Sequence, residues 1–192
     1  MDFFTREIFE ACFPQFPYRN KTQQFYEALY EAMEEGEIDS AERMAAFLAQ
    51  LAHESGQLRY WVEKQISSNP NFIKYEQGRL RNILGNVNPG DGKRYRGRGP
   101  IQLTGRKNYR DAGAAIGVDL ENNPEKAAHL DVGFRTAVWY WTTRNLNDKA
   151  DWHEFDAITK SINGGYNGRD DRNSYYVRML PILMHAEYDY EE

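Results

Sequence analysis

Glu54 and Glu63 stand nine residues apart, and between Tyr95 and Tyr109 the chain crowds glycines, amides, a hydroxyl and aromatics into one short strip. Two carboxyl groups facing one bond can share acid and base work, one protonating a leaving oxygen while the other activates water. Phe47, Leu51 and Glu54 fall on one helical face, which puts Glu54 at the edge of an apolar surface. Loss of water at such an edge favours a neutral carboxyl, the form able to donate a proton near pH 7. The plain alternative is a glutamate at a helix end, in water or in a structural salt bridge.

Were the helix continuous, nine residues would hold the two backbones roughly 13 Å apart, too far for a pair that shares one water. Gly56 can break that helix, and a reversal there could bring Glu63 across a cleft at the ~6.5 to 9.5 Å that a water-activating pair requires. Glu76, Asp91 and Glu121 are rivals that spacing does not exclude. Gln102 and Thr104 share a face if their segment is extended, and Asn108 adds a second amide. Turn and backbone capping explain the same residues equally well. Asn163 before Gly164-Gly165 is either a helix cap or a ligand contact.

Other chemistries fit poorly. His53-Glu54 lacks the second histidine that a zinc-dependent hydrolase places three residues after the glutamate, where Gln57 stands, and His129, His153 and His185 are scattered. The glycines around the strip have neither P-loop nor dinucleotide-binding spacing. No serine sits in a Gly-x-Ser-x-Gly elbow, and Cys12, the one cysteine, can form no intrachain disulfide and reads as a small buried apolar residue.

The elements that must position these groups read as helices. Phe25, Leu29, Ala32 and Met33 recur at helical spacing and stop at Gly36. Asp39 with Glu42 fits a capping box before a helix from about 41 to 55. Residues 82 to 98 read as a long loop. Further helices are predicted from Tyr109 to Ile116, from Asn122-Asn123-Pro124 through Leu130, from Gly133 to Thr143, from Phe155 to Ile162 and from Asn173 to Tyr188. Strand patterns are scarce. The expectation is one mainly α domain spanning 1–192, with at most a small β-hairpin near 60 to 100.

The net charge of -5 gives no general attraction for nucleic acid or for an anionic membrane. Yet Lys93, Arg94, Arg96, Arg98, Arg106, Lys107 and Arg110 form a basic neighbourhood, either a solvated face or a match for an anionic polymer, while the tail is acidic. Residues 1 to 7 carry acids early and no sustained apolar stretch, so they are not expected to act as a secretory leader, and no segment approaches the ~20 apolar residues of a spanning helix. Aromatic residues make up 14% of the chain, enough to fill a core and still offer flat faces to sugar rings.

Taken in order, Ala52-His53-Glu54-Ser55-Gly56, Gly97-Arg98-Gly99-Pro100-Ile101-Gln102-Leu103-Thr104, Asn108-Tyr109, Ala115 to Leu120 with Asn123-Pro124, Phe134 to Trp141 and Ile162-Asn163-Gly164-Gly165 resemble glycoside hydrolase family 19, the chitinases and related phage endolysins. The likeness covers about 40 to 180. It implies a lysozyme-like helical fold with a deep substrate cleft and an inverting single displacement that needs no cofactor and no metal. It further implies Glu54 as general acid, Glu63 as general base and Thr104 as a holder of the attacking water. By the same likeness His53, Gln102, Asn108, Tyr109, Asn163 and Arg172 bind substrate, with Arg172 orienting the base.

Lys107 stands where many chitinases have an aromatic, which favours peptidoglycan, with its lactyl and stem-peptide carboxylates, over chitin. The expected protein is therefore an endolysin, a monomeric peptidoglycan glycosidase. It would be made without a signal peptide in the host bacterial cytoplasm and released to act on the wall. A chitinase, or a catalytically silent glycan-binding module, is the alternative.

Overall fold

A computed structural model describes residues 1–191, and its secondary structure is helical. In chain order the helices are α1 (Arg6–Cys12), α2 (Thr22–Glu35), α3 (Ala41–Ser55), α4 (Gly78–Leu84), α5 (Asp91–Arg94), α6 (Arg106–Ile116), α7 (Leu130–Thr142), α8 (Leu146–Asp151), α9 (Phe155–Asn163) and α10 (Arg169–Glu191). Short 3-10 segments cover Arg19–Lys21, Pro70–Glu76 and Pro124–Ala128. Among the described residues no helix is long and apolar enough to cross a membrane.

The molecule is organised around α3. Every residue from Met44 to Ala52 is buried, so the stripes read from the sequence merge into a helix enclosed on nearly all sides. Ala45, Ala46, Ala49 and Ala52 supply little bulk, which lets α10 lie close along α3 in the most extensive helix contact of the fold. Phe47 meets Trp141 of α7 edge-on at 5.3 Å between ring centres. On the far side, α1 packs on α10, where Arg178 donates to the carbonyls of Ala11 and Cys12. The Cys12 side chain is fully buried, and burial pushes its thiol up to about 12.

Several local expectations are corrected. The cap of α3 is Ser40, whose hydroxyl accepts from the Arg43 amide at 3.3 Å, while Asp39 instead accepts from the Arg43 guanidinium at 3.0 Å. The segment 82–98 is not one loop: α4 and α5 occupy parts of it. Together with Pro70–Glu76 these short elements build a lobe beside the helical body. No hairpin forms there; antiparallel pairing is confined to isolated bridges, two of which join Arg98 to Val62 and to Leu103. A buried ion cluster ties the lobe to α6, with Arg106 donating to Asp91 at 2.8 and 2.9 Å and to Glu121 at 2.9 Å. The predicted helix after Asn122 is only the 3-10 turn Pro124–Ala128, and α7 begins at once behind it, at Leu130.

Candidate active site

A cleft of about 390 Å³ runs between the body and the lobe. Glu54, Tyr140, Ile162 and Asn163 line it from the body, and Tyr75, Leu80, Leu84, Gln102, Thr104 and Asn108 line it from the lobe side. Apolar side chains and a few amides and hydroxyls on facing walls suit a sugar chain, whose rings present CH faces and hydroxyl edges.

Glu54 occupies the last turn of α3, and Gly56 ends that helix in the left-handed region at φ 59°, as its place in the sequence suggests. The Glu54 side chain retains 21% exposure, and Arg172, 1% exposed, donates to it at 2.5 Å from beneath. The other arm of Arg172 reaches the buried Gln50, whose amide donates to Thr159 of α9 at 3.1 Å. The chain Thr159, Gln50, Arg172, Glu54 thus fastens the carboxyl group to three helices. Arg172, expected to bind substrate and orient the base, is instead a buried partner of Glu54.

His53 does not line the cleft either. Its Nδ1 meets Asp171 at 2.6 Å, and its ring lies so close to Gly168 that a β-carbon there would stand 2.2 Å from Cε1. With φ at +72° as well, Gly168 admits no side chain, and His53 serves to seat the start of α10, which carries Arg172. Tyr109 is likewise corrected. It is fully buried, donates to the Arg96 carbonyl at 2.6 Å and accepts from Arg98 at 2.9 Å, so it braces the glycine-rich strip from inside.

Gln102, Thr104 and Asn108 share the cleft wall, though not through an extended strand: Gln102 has φ 54° and the Thr104 hydroxyl donates back to its carbonyl at 2.8 Å. Asn108 donates to the Thr104 carbonyl at 2.8 Å. Asn163, at the end of α9, is distinctive because its amide nitrogen is buried without a hydrogen-bond partner. An orphaned buried donor costs stability and calls for an acceptor, here one that enters the cleft.

Glu63 is partly exposed and is joined to the cleft through Tyr75 rather than lining it. Its Oε1 accepts from the Tyr75 hydroxyl at 2.8 Å and its Oε2 from the Gly97 amide at 3.0 Å, while its own amide donates to the Gly97 carbonyl at 2.8 Å. Tyr75 itself lines the cleft; burial first, then the bond and the charge of Glu63, push its hydroxyl pKa well above the ordinary range. The rival carboxylates are engaged elsewhere: Asp91 and Glu121 hold Arg106, and Glu76 accepts from the Gly92 amide at 3.1 Å. Tyr75 and Tyr140 are the cleft tyrosines, beside apolar lining residues such as Leu80, Leu84 and Ile162, that sequence reasoning did not assign. Tyr140 lay within a quoted motif, whereas Tyr75 carried no periodic or spacing signal.

Lys107 does not line the cleft. It pairs with Asp111 one helical turn along α6, at 2.5 Å, and is 55% exposed.

The arrangement has close relatives. A protein of Haemophilus influenzae described as a glycosyl hydrolase family 19 domain-containing protein is 35% identical over 181 residues, which cover 81% of this chain and 87% of that one. Acidic endochitinase Q of Nicotiana tabacum is 39% identical, over 47% of this chain and 46% of its own. Among solved structures, a bacterial family 19 chitinase superposes with a TM-score of 0.75 at 28% identity, covering 94% of this chain and 95% of its own. Chitinase C of Streptomyces griseus superposes with the same score at 26% identity, covering 94% and 92%. Residues 28–167 match the class I chitinase domain of the family, and the fold is the lysozyme-like one. The chain belongs to glycoside hydrolase family 19.

Proposed function

We propose that the protein is an endolysin that hydrolyses the β-1,4 bond between N-acetylmuramic acid and N-acetylglucosamine in peptidoglycan, opening the wall of a bacterial host. The observation that carries the peptidoglycan reading is the charge of the cleft's two sides. Residues 59 to 110 hold twelve Lys and Arg against three Asp and Glu, a net +9, whereas the rest of the chain holds twelve against twenty-six, a net -14. The positive segment supplies the lobe wall of the cleft. A lobe so charged attracts a polymer bearing carboxylates more strongly than a neutral one. Lys107, committed to Asp111, contributes little to this; the lobe as a whole does.

In the reaction Glu54 gives its proton to the leaving oxygen as the glycosidic bond breaks. A water attacks the anomeric carbon from the opposite face, and its proton passes to Glu63, so the product carries inverted configuration. Thr104 Oγ1, its proton spent on Gln102, offers lone pairs to that water, and the Asn163 amide donates to an acetamido or hydroxyl oxygen of the sugar. No cofactor enters these steps.

Chitin is the second reading, favoured by the relatives named as endochitinases. Mass spectrometry of borohydride-reduced products from Gram-negative peptidoglycan separates the two. A reduced muramic acid end, missing when Glu54→Gln is used, is the expected result; intact sacculi beside cleaved chitin oligomers would transfer the protein to the chitinases. For Glu54→Gln itself the expected loss is about 10² to 10⁴ in kcat with the fold retained.

A further inference from the structure

The Glu63 carboxylate has both oxygens engaged and does not line the cleft, while the one side chain that bonds it, Tyr75, does. A base outside the cleft lining, bonded to a hydroxyl that lines it, poses a question of proton transit. We infer that Tyr75 is the proton relay of the reaction, placing its phenol between the attacking water and Glu63. This rests on the assignment of Glu63 as base.

The step balances without any further reagent. The water oxygen bonds to the anomeric carbon while the bond to the leaving oxygen breaks, and its electron pair takes the Glu54 proton. The water's surplus proton moves to Tyr75 Oη as the Tyr75 hydroxyl proton moves to Glu63 Oε1. Tyr75 is neutral before and after; Glu63 ends protonated and Glu54 ionised, and exchange with solvent resets both. A phenol whose pKa is held high is suited to this use, since it passes a proton on without resting as phenolate.

Geometry supports a built arrangement. Tyr75 is the penultimate residue of the 3-10 segment Pro70–Glu76, where Asn71 and Phe72 adopt positive φ of 50° and 59°. The Phe72 ring stacks on Tyr75 at 6.3 Å between centres, and Lys74 Nζ lies 4.9 Å from the Tyr75 ring centre. The Tyr75 carbonyl accepts from the buried Asn86 amide at 2.9 Å. The backbone and ring are thus held while the hydroxyl points at Glu63. Gly97 completes the clamp, since a β-carbon there would stand 3.3 Å from Glu63 Cβ.

The test compares Tyr75→Phe, Glu63→Gln and the parent enzyme on labelled peptidoglycan and, in parallel, on the N-acetylglucosamine hexamer. The relay predicts that Tyr75→Phe, which keeps the ring, loses about 10² or more in kcat with KM within about twofold. Near-parent kcat in Tyr75→Phe with Glu63→Gln inactive would overturn the relay and leave Glu63 as base. A rise in KM alone would make Tyr75 a sugar-contacting wall, also overturning it. An active Glu63→Gln would remove the base assignment and the relay together.

Discussion

The two carboxyl groups of the site are held in opposite ways. Glu54 ends a long buried helix and rests on a guanidinium that is itself bonded to α3 and, through Gln50, linked to α9. Glu63 sits in irregular chain and is positioned by one phenol and one backbone amide. The proposed acid is therefore fixed by the body of the fold, whereas the proposed base is fixed only as well as the lobe keeps its shape. Damage to the core should strike both stability and the acid; damage to the lobe should strike the base and spare the body.

The largest effect that would break this contrast lies at Arg172. Arg172→Ala strands Gln50 and a largely covered Glu54, and the expected loss is about 3 kcal/mol in urea unfolding, at the lower end for a buried pair because Glu54 keeps some water. A loss below about 1 kcal/mol would show that the body does not depend on this chain of bonds.

A second effect is confined to the lobe and depends on pH. Burial opposes ionisation of Asp91, but the two bonds from Arg106 and the amides of Asn88 and Val87 outweigh it and hold the carboxyl below its ordinary 3.8. A depressed folded value means that this contribution to stability is complete above 3.8 and is lost as pH falls through the folded value below it. The difference in Tm between the parent and Asp91→Asn should therefore be greatest at neutral pH and shrink as pH drops below 3.8. A constant difference would mean that the Asp91 charge does not brace the lobe.

Smaller still, on the proposed peptidoglycan reading, is the influence of the lobe's charge on encounter with the wall. Arg79→Glu with Lys93→Glu should slow cleavage of peptidoglycan several-fold at low salt, with the deficit closing near 1 M salt, where screening acts within about 3 Å. Neutral oligomers should be cut at the parent rate throughout. Lys107→Ala comes last: its charge is shared with Asp111 on an exposed turn, so rates on both substrates should stay within about twofold.

Periodicity made the body legible. The apolar repeats behind α2, α3 and α7 come from burial, and burial imposes helical spacing on sequence. The lobe offered no such signal. Its elements are held by ion pairs and backbone bonds between residues distant along the chain, such as Arg106 with Asp91 and Asn86 with Tyr75, and short helices of four and seven residues repeat too little to register. Glu54, Gln102, Thr104, Asn108 and Asn163 could be named because ordered motifs carry them. Which way each side chain faces could not, and that is why Tyr109 was expected in the cleft and Tyr75 was not. Ser40 shows the same limit at one residue's resolution: Asp39 and Ser40 are both good caps, and only the turn of the chain decides between them.

Cys12 gives the molecule a clock. The thiol is sealed between α1 and the rest of the core and is nearly always protonated at neutral pH, so a thiol-reactive dye meets nothing to attack while the fold is closed. Labelling then counts openings of the terminal helix: its rate reports how often α1 lifts from α10 and breaks the two bonds from Arg178. Run beside an activity assay, that one sulfur would tell whether the amino-terminal helix must stay docked for the cleft to work.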